Sequence, residues 1–131
     1  DEQERLLARF GAELGMAFQA WDDWLGIWGD AVETGKSTKS DLIAGKKTLP
    51  VVYALQKPGR FYDRWMRGGI LPDEVDELSA WLAEDGAQKF TENEVARLTA
   101  QAIDSLHMSG FENKYVQGLQ ELALSLLKRR K

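Results

Sequence analysis

The sequence has no cysteine, a single histidine and three prolines. Without cysteine there are no disulfides and no thiolate metal ligands, and one histidine, His107, argues against zinc, so carboxylates are the credible metal ligands. It also lacks an apolar run long enough to span a bilayer, and its opening DEQERLL has none of the positive charge that starts a secretory signal. The expectation is a cytoplasmic protein with no membrane span. There is no excess of basic residues either: 17 Lys and Arg stand against 21 Asp and Glu, a net charge of −4. That balance gives no general pull toward nucleic acid. Strand patterns are missing as well, because the β-branched residues are scattered and no alternating run reaches five residues.

What is present fits one globular domain: 131 residues, 44% of them hydrophobic. There are five tryptophans, and Trp21, Trp24 and Trp28 fall within eight residues, beside the pair Asp22-Asp23. From Glu2 to Trp28 the period is helical and free of proline, and Phe10, Leu14, Ala17, Phe18, Trp21, Leu25 and Trp28 share one apolar stripe. Gly15, Gln19, Asp22 and Gly26 form a second row beside it, with Asp23 at its margin. Such a row lines a cavity or faces solvent, and spacing alone does not separate the two.

Gly29 to Gly45 is rich in turn signals and reads as a loop or broken helix carrying Lys36 and Lys39, with Asp41 near its end and Lys46 and Lys47 just beyond. Pro50 sits well in the first turn of a helix from Leu49 to Gln56. Shorter helices are expected over Phe61 to Met66 and from Pro72 to Gly86, the latter buried through Val75, Leu78, Ala80, Trp81 and Leu82. Two longer ones follow, Ala87 to Met108 and Glu112 to Lys128, the last with Tyr115, Leu119, Leu122, Leu126 and Leu127 as its buried side. His107 suits a helix end. The tail KRRK is a solvated end or a basic flap. The fold class is all-α.

Carboxylates followed closely by lysines are what a metal-bridged phosphorylated anion requires, since Mg²⁺ prefers carboxylate and phosphate oxygens and ammonium groups neutralise the remaining charge. Taken in order, Phe18-Gln19, Asp22-Asp23, Gly29-Asp30, Thr34-Gly35-Lys36, Asp41-Leu42, Gly45-Lys46 and Leu49-Pro50 resemble the second aspartate-rich region of the trans-isoprenyl diphosphate synthases, the farnesyl and geranylgeranyl diphosphate synthase family.

The resemblance implies the C-terminal half of an all-α terpenoid-synthase fold, spanning residues 1–131. It implies a prenyltransferase that ionises an allylic diphosphate with Mg²⁺ and joins the cation to isopentenyl diphosphate. By position, Asp22 ligates the metal with Asp23 assisting, Lys36 and Lys46 grip the diphosphate, and Phe18 and Gln19 lie along the cavity. Asp41 either orders the lysine loop or approaches the metal.

Two departures accompany the resemblance. The DDxxD pattern reads DDWLG here, with Gly26 in place of the third aspartate, as in bacterial synthases of geranylgeranyl type. The family's first aspartate-rich motif has no counterpart in the chain. The chain alone is therefore expected to be inactive, dependent on a missing N-terminal half in cis or in trans, and homodimeric. The alternatives are a non-catalytic subunit derived from the family and a terpene synthase that ionises the same substrate.

Overall fold

The computed structural model describes residues 1–29 and 40–128. Among these there are seven α-helices and no strand: α1 (Glu2–Trp28), α2 (Ser40–Ile43), α3 (Leu49–Leu55), α4 (Arg60–Met66), α5 (Val75–Glu84), α6 (Ala87–Met108) and α7 (Asn113–Leu127), with a 3₁₀ turn at Pro72–Glu74. The long helices fall where the 3.6-residue period places them. Of the turn-rich segment from Gly29 to Gly45, the structure shows a short helix, α2, at its end, while Asp30, Thr34, Gly35, Lys36, Ser37, Thr38 and Lys39 lie outside the described residues.

The helix ends have local causes. The Glu4 N–H donates to Asp1 Oδ1 at 2.9 Å, a side-chain cap at the start of α1. Pro50 stands in the first turn of α3, as expected. Gly86, at a φ of +97°, makes the turn between α5 and α6, where a side chain would also sit 3.4 Å from the Tyr53 hydroxyl. At the start of α6, Thr91 Oγ1 is buried and donates to the Ala87 carbonyl at 2.8 Å.

The chain divides into two compact units. One comprises residues 22–92. Its core is Ile27, Leu42, Val51, Phe61, Ile70, Val75, Leu78, Leu82 and Ala87, against which Trp28, Tyr53, Trp65 and Trp81 pack. Each large side chain among these contributes roughly 1.5–3 kcal/mol by leaving water. Indole N–H groups at the core's margin are satisfied, Trp24 Nε1 by Glu92 Oε2 at 3.1 Å and Trp28 Nε1 by the Ser79 carbonyl at 3.3 Å. Arg64 makes a two-pronged contact with Glu74, at 2.7 and 2.6 Å, and the Leu71 N–H donates to the same carboxylate at 3.0 Å. Held by the Arg64 guanidinium first and the Leu71 amide second, the Glu74 carboxyl is lowered to about 2.

The other unit comprises residues 1–21 and 93–128. Phe10, Ala102, Leu106, Val116 and Ala123 form its core, with Leu7 and Leu14 beside them. Ser105 Oγ donates to Glu13 Oε1 at 2.7 Å and ties α6 to α1. His107 is exposed in the last turn of α6 with Nε2 3.1 Å from Gln120 Oε1, the helix-end place expected of it.

Two expected faces need correction. On α7, Tyr115, Leu119, Leu122 and Leu126 are exposed, and the helix buries Val116 and Ala123 instead. The small residues let α7 approach its unit closely, and the larger apolar stripe lies to one side of that contact. On α5, Ala80 is exposed while Val75, Leu78 and Leu82 are buried.

Candidate functional site

Asp22 and Asp23 stand half-buried near the C-terminal end of α1. Asp23 Oδ2 accepts the Leu49 backbone N–H at 3.0 Å. This contact joins positions 26 residues apart and does the work of an N-cap for α3, whose formal cap residue, Thr48, makes no side-chain capping bond. The Thr48 hydroxyl is buried and has no partner among the described residues. The acidic pair and the start of the Leu49-Pro50 helix, separated in sequence by the lysine segment, are thus held together by a charged hydrogen bond.

Residues 41–46 turn around Asp41. Its carbonyl accepts the Lys46 N–H at 3.1 Å, and Gly45, at φ +70°, makes the turn that closes this loop. Asp41 Oδ1 lies 3.7 Å from Lys46 Nζ; the carboxylate side chain is 13% exposed and the lysine 67%. Lys46 thus presents its ammonium to solvent while one of its neighbours is a mostly buried carboxylate. Lys47 is exposed too.

Of the other residues expected at the site, Phe18 is half-buried and Gln19 exposed on the part of α1 that belongs to the unit of residues 1–21 and 93–128. Lys36 lies outside the described residues. Trp24 and Trp28 pack with ring centroids 5.9 Å apart. A cleft of about 360 Å³ lined by Tyr53, Lys57, Arg60, Phe61, Tyr62 and Asp85, among others, stands elsewhere in the unit of residues 22–92; neither the aspartates of α1 nor Lys46 line it.

Among the described residues, no three His, Cys, Asp or Glu side chains converge on one point as a ready-made metal cage. The donor set is nonetheless of one chemical kind, hard carboxylate oxygens at Asp22, Asp23 and Asp41, in a sequence without cysteine. Mg²⁺ commonly binds through one or two carboxylates and completes its shell with water and phosphate oxygens, so these residues fit a metal that arrives with a phosphorylated ligand.

Two features were not legible beforehand. The Asp23 cap could not be foreseen, because nothing in the spacing of Asp23 and Leu49 announces a contact. The close approach of Asp41 to Gly26 had a trace in the sequence, a glycine one helical turn after Asp22 where no turn calls for one.

An all-α fold with an aspartate pair linked to a lysine loop defines a class of protein, and comparison with known sequences and structures names it. A family model for polyprenyl synthetase matches residues 1–67. The chain is 36% identical over 126 residues to a (2E,6E)-farnesyl diphosphate synthase of Mycobacterium tuberculosis, covering 89% of this chain and 35% of that protein. It is 61% identical over 49 residues to a geranylgeranyl diphosphate synthase of the same organism, covering 37% of this chain and 14% of the relative. The crystal structure of a polyprenyl synthetase from Streptomyces coelicolor A3(2) matches with a TM-score of 0.85 and 32% identity, over 96% of this chain and 40% of that one. The chain belongs to the polyprenyl synthetase family. It spans about a third of the length of the farnesyl diphosphate synthase it matches.

Proposed function

We propose that the chain forms one wall of the active site of a trans-prenyltransferase, the wall carrying the second aspartate-rich region. Its substrates are an allylic diphosphate and isopentenyl diphosphate, and it acts with a complementary N-terminal half supplied in cis or in trans, as a cytoplasmic homodimer. The observation that supports this reading most is the Asp23–Leu49 hydrogen bond, which ties the acidic end of α1 to the residues just after the lysine loop.

In this reading Asp22 holds Mg²⁺, and Asp23 assists it directly or through an outer contact while its Oδ2 keeps α3 in place. Bound there, Mg²⁺ would supply positive charge to the departing diphosphate. Lys36 and Lys46 bind the same diphosphate and stabilise the charge that grows on it as the carbon–oxygen bond breaks. Gln19 precedes Asp22 by one helical turn and, with Phe18, lines the path of the prenyl chain, where an apolar surface excludes water from the cation. A terpene synthase would use the same residues to ionise the same substrate, and the product distinguishes the two.

The test is turnover by the whole protein. With Mg²⁺, an allylic diphosphate and labelled isopentenyl diphosphate, label should enter a longer prenyl diphosphate, and Asp22→Ala should lower kcat/KM by on the order of 10²–10³. Label-free cyclic products would favour the cyclase, and full activity in the variant would refute the assignment of Asp22.

A further inference from the structure

The position one turn after Asp22 is Gly26, and the space that a side chain there would fill is taken by another residue. A Cβ on Gly26 would overlap Asp41 Oδ2 and lie 2.5 Å from Asp41 Cγ and 3.3 Å from its Cβ. Gly26 is buried within α1 and its φ is not positive, so the helix itself has no need of glycine, which weakens a helix interior. Gly15 and Gly11, on the same helix, meet nothing within 4 Å. The requirement at position 26 comes from outside the helix, and it comes from one side chain.

We propose that Asp41 is a positioning residue seated in the notch at Gly26. α2 delivers its carboxylate onto the face of α1 that carries Asp22, into the space where a side chain at position 26 would stand. One oxygen occupies the notch. The other faces Lys46 Nζ at 3.7 Å, and the Asp41 carbonyl holds the Lys46 backbone N–H at 3.1 Å. The glycine and the aspartate act as one device: the missing side chain on α1 is replaced by a carboxylate from the loop, which arrives with a lysine attached. A side chain at position 26 would turn the Asp41 carboxylate away and release Lys46 from its place beside α1.

The seat itself is independent of function, whereas its use toward a ligand rests on the anion-binding reading above, so the test has two arms. In the first, thermal melting of the metal-free chain is followed for wild type, Gly26→Ala, Asp41→Ala and the double variant. Gly26→Ala should raise the melting temperature by about 3–5 °C in the Asp41→Ala background, the propensity gain of alanine in a helix, and fail to do so when Asp41 is present. Equal shifts in both backgrounds would overturn the seat.

In the second arm, inorganic pyrophosphate is titrated with Mg²⁺ by calorimetry into the chain together with its N-terminal half. Gly26→Ala and Asp41→Ala should each weaken binding by on the order of tenfold, with the double variant no worse than either. Asp41→Asn, which keeps the shape, should retain the melting behaviour and lose affinity. Unchanged affinity in Gly26→Ala, with binding still abolished by Asp22→Ala, overturns the positioning role and leaves the anion reading intact. No binding by the wild-type chain with its N-terminal half present overturns that reading and any ligand role for Asp41, while the melting cycle still decides the seat.

Discussion

In residues 22–92 a core of large apolar side chains is closed, with Leu42, Leu78 and Leu82 each at most 1% exposed, while Ile43, Val52, Met66 and Leu71 stand exposed at its surface and charged groups fix helix starts around it. In the unit of residues 1–21 and 93–128 the last helix buries Val116 and Ala123 and leaves Leu122 57% exposed. The first pattern is that of a closed core in which α3 is anchored by Asp23, and the 3₁₀ turn before α5 by Glu74 and Arg64. The second is a set of three helical segments, from α1, α6 and α7, in which the apolar stripe of α7 through Tyr115, Leu119, Leu122 and Leu126 stays exposed. Asp22, Asp23, Asp41 and Lys46 all belong to the unit of residues 22–92, where small displacements of Asp23 or Asp41 are resisted by a filled core.

Mutation at equivalent chemistry in the two units tests the contrast most strongly. Leu82→Ala should cost about 2–5 kcal/mol by urea denaturation, because a fully buried leucine leaves both lost contacts and a cavity. Leu122→Gln should change stability by less than about 0.5 kcal/mol and reduce self-association in sedimentation, because the site is exposed and apolar. A large loss from Leu122→Gln would show that the stripe is packed after all.

A smaller effect is expected at Asp23. Asp23→Ala removes the acceptor for the Leu49 N–H and should cost about 1 kcal/mol, while Asp23→Asn, which keeps an acceptor, should cost less. Equal losses would mean that the charge, and not the cap, is what counts.

The smallest expected effect is the pH dependence at Glu74. Its carboxyl is lowered from 4.5 to about 2 by the Arg64 guanidinium and the Leu71 amide, so the folded state releases the proton more readily than the unfolded chain. Its contribution is therefore complete above about pH 4.5 and disappears as the pH falls toward about 2. Because the Glu74 side chain is only half-buried, solvent screens the contribution. The difference in melting temperature between wild type and Glu74→Gln should be positive at pH 6 and shrink on acidification; a difference that is constant with pH would contradict the linkage.

Much of this was legible in the sequence because helices advertise themselves by period and by their ends. α1 and α6 start and stop where the apolar spacing, glycine and Ser109-Gly110 place them. The ordered run from Phe18 to Pro50 was enough to point to the family. What the wheel does not contain is the neighbour. It locates the apolar face of α7 through Tyr115, Leu119, Leu122 and Leu126, and cannot say that Val116 and Ala123 make the contact. For the same reason Gly26 looked like a lost carboxylate, when the structure puts another carboxylate in its place. Asp41 was seen to order the lysine loop or approach a metal, and the close approach to α1 that links these roles is a tertiary fact.

The most direct measurement is calorimetric titration of the chain, together with its N-terminal half, with inorganic pyrophosphate, with and without Mg²⁺, for wild type and Asp22→Ala. Binding should require Mg²⁺ and be lost in Asp22→Ala, with Mg²⁺ alone giving little heat because Mg²⁺ completes its shell with phosphate oxygens. Binding that is independent of the metal and unaffected by the substitution would contradict the assignment of Asp22.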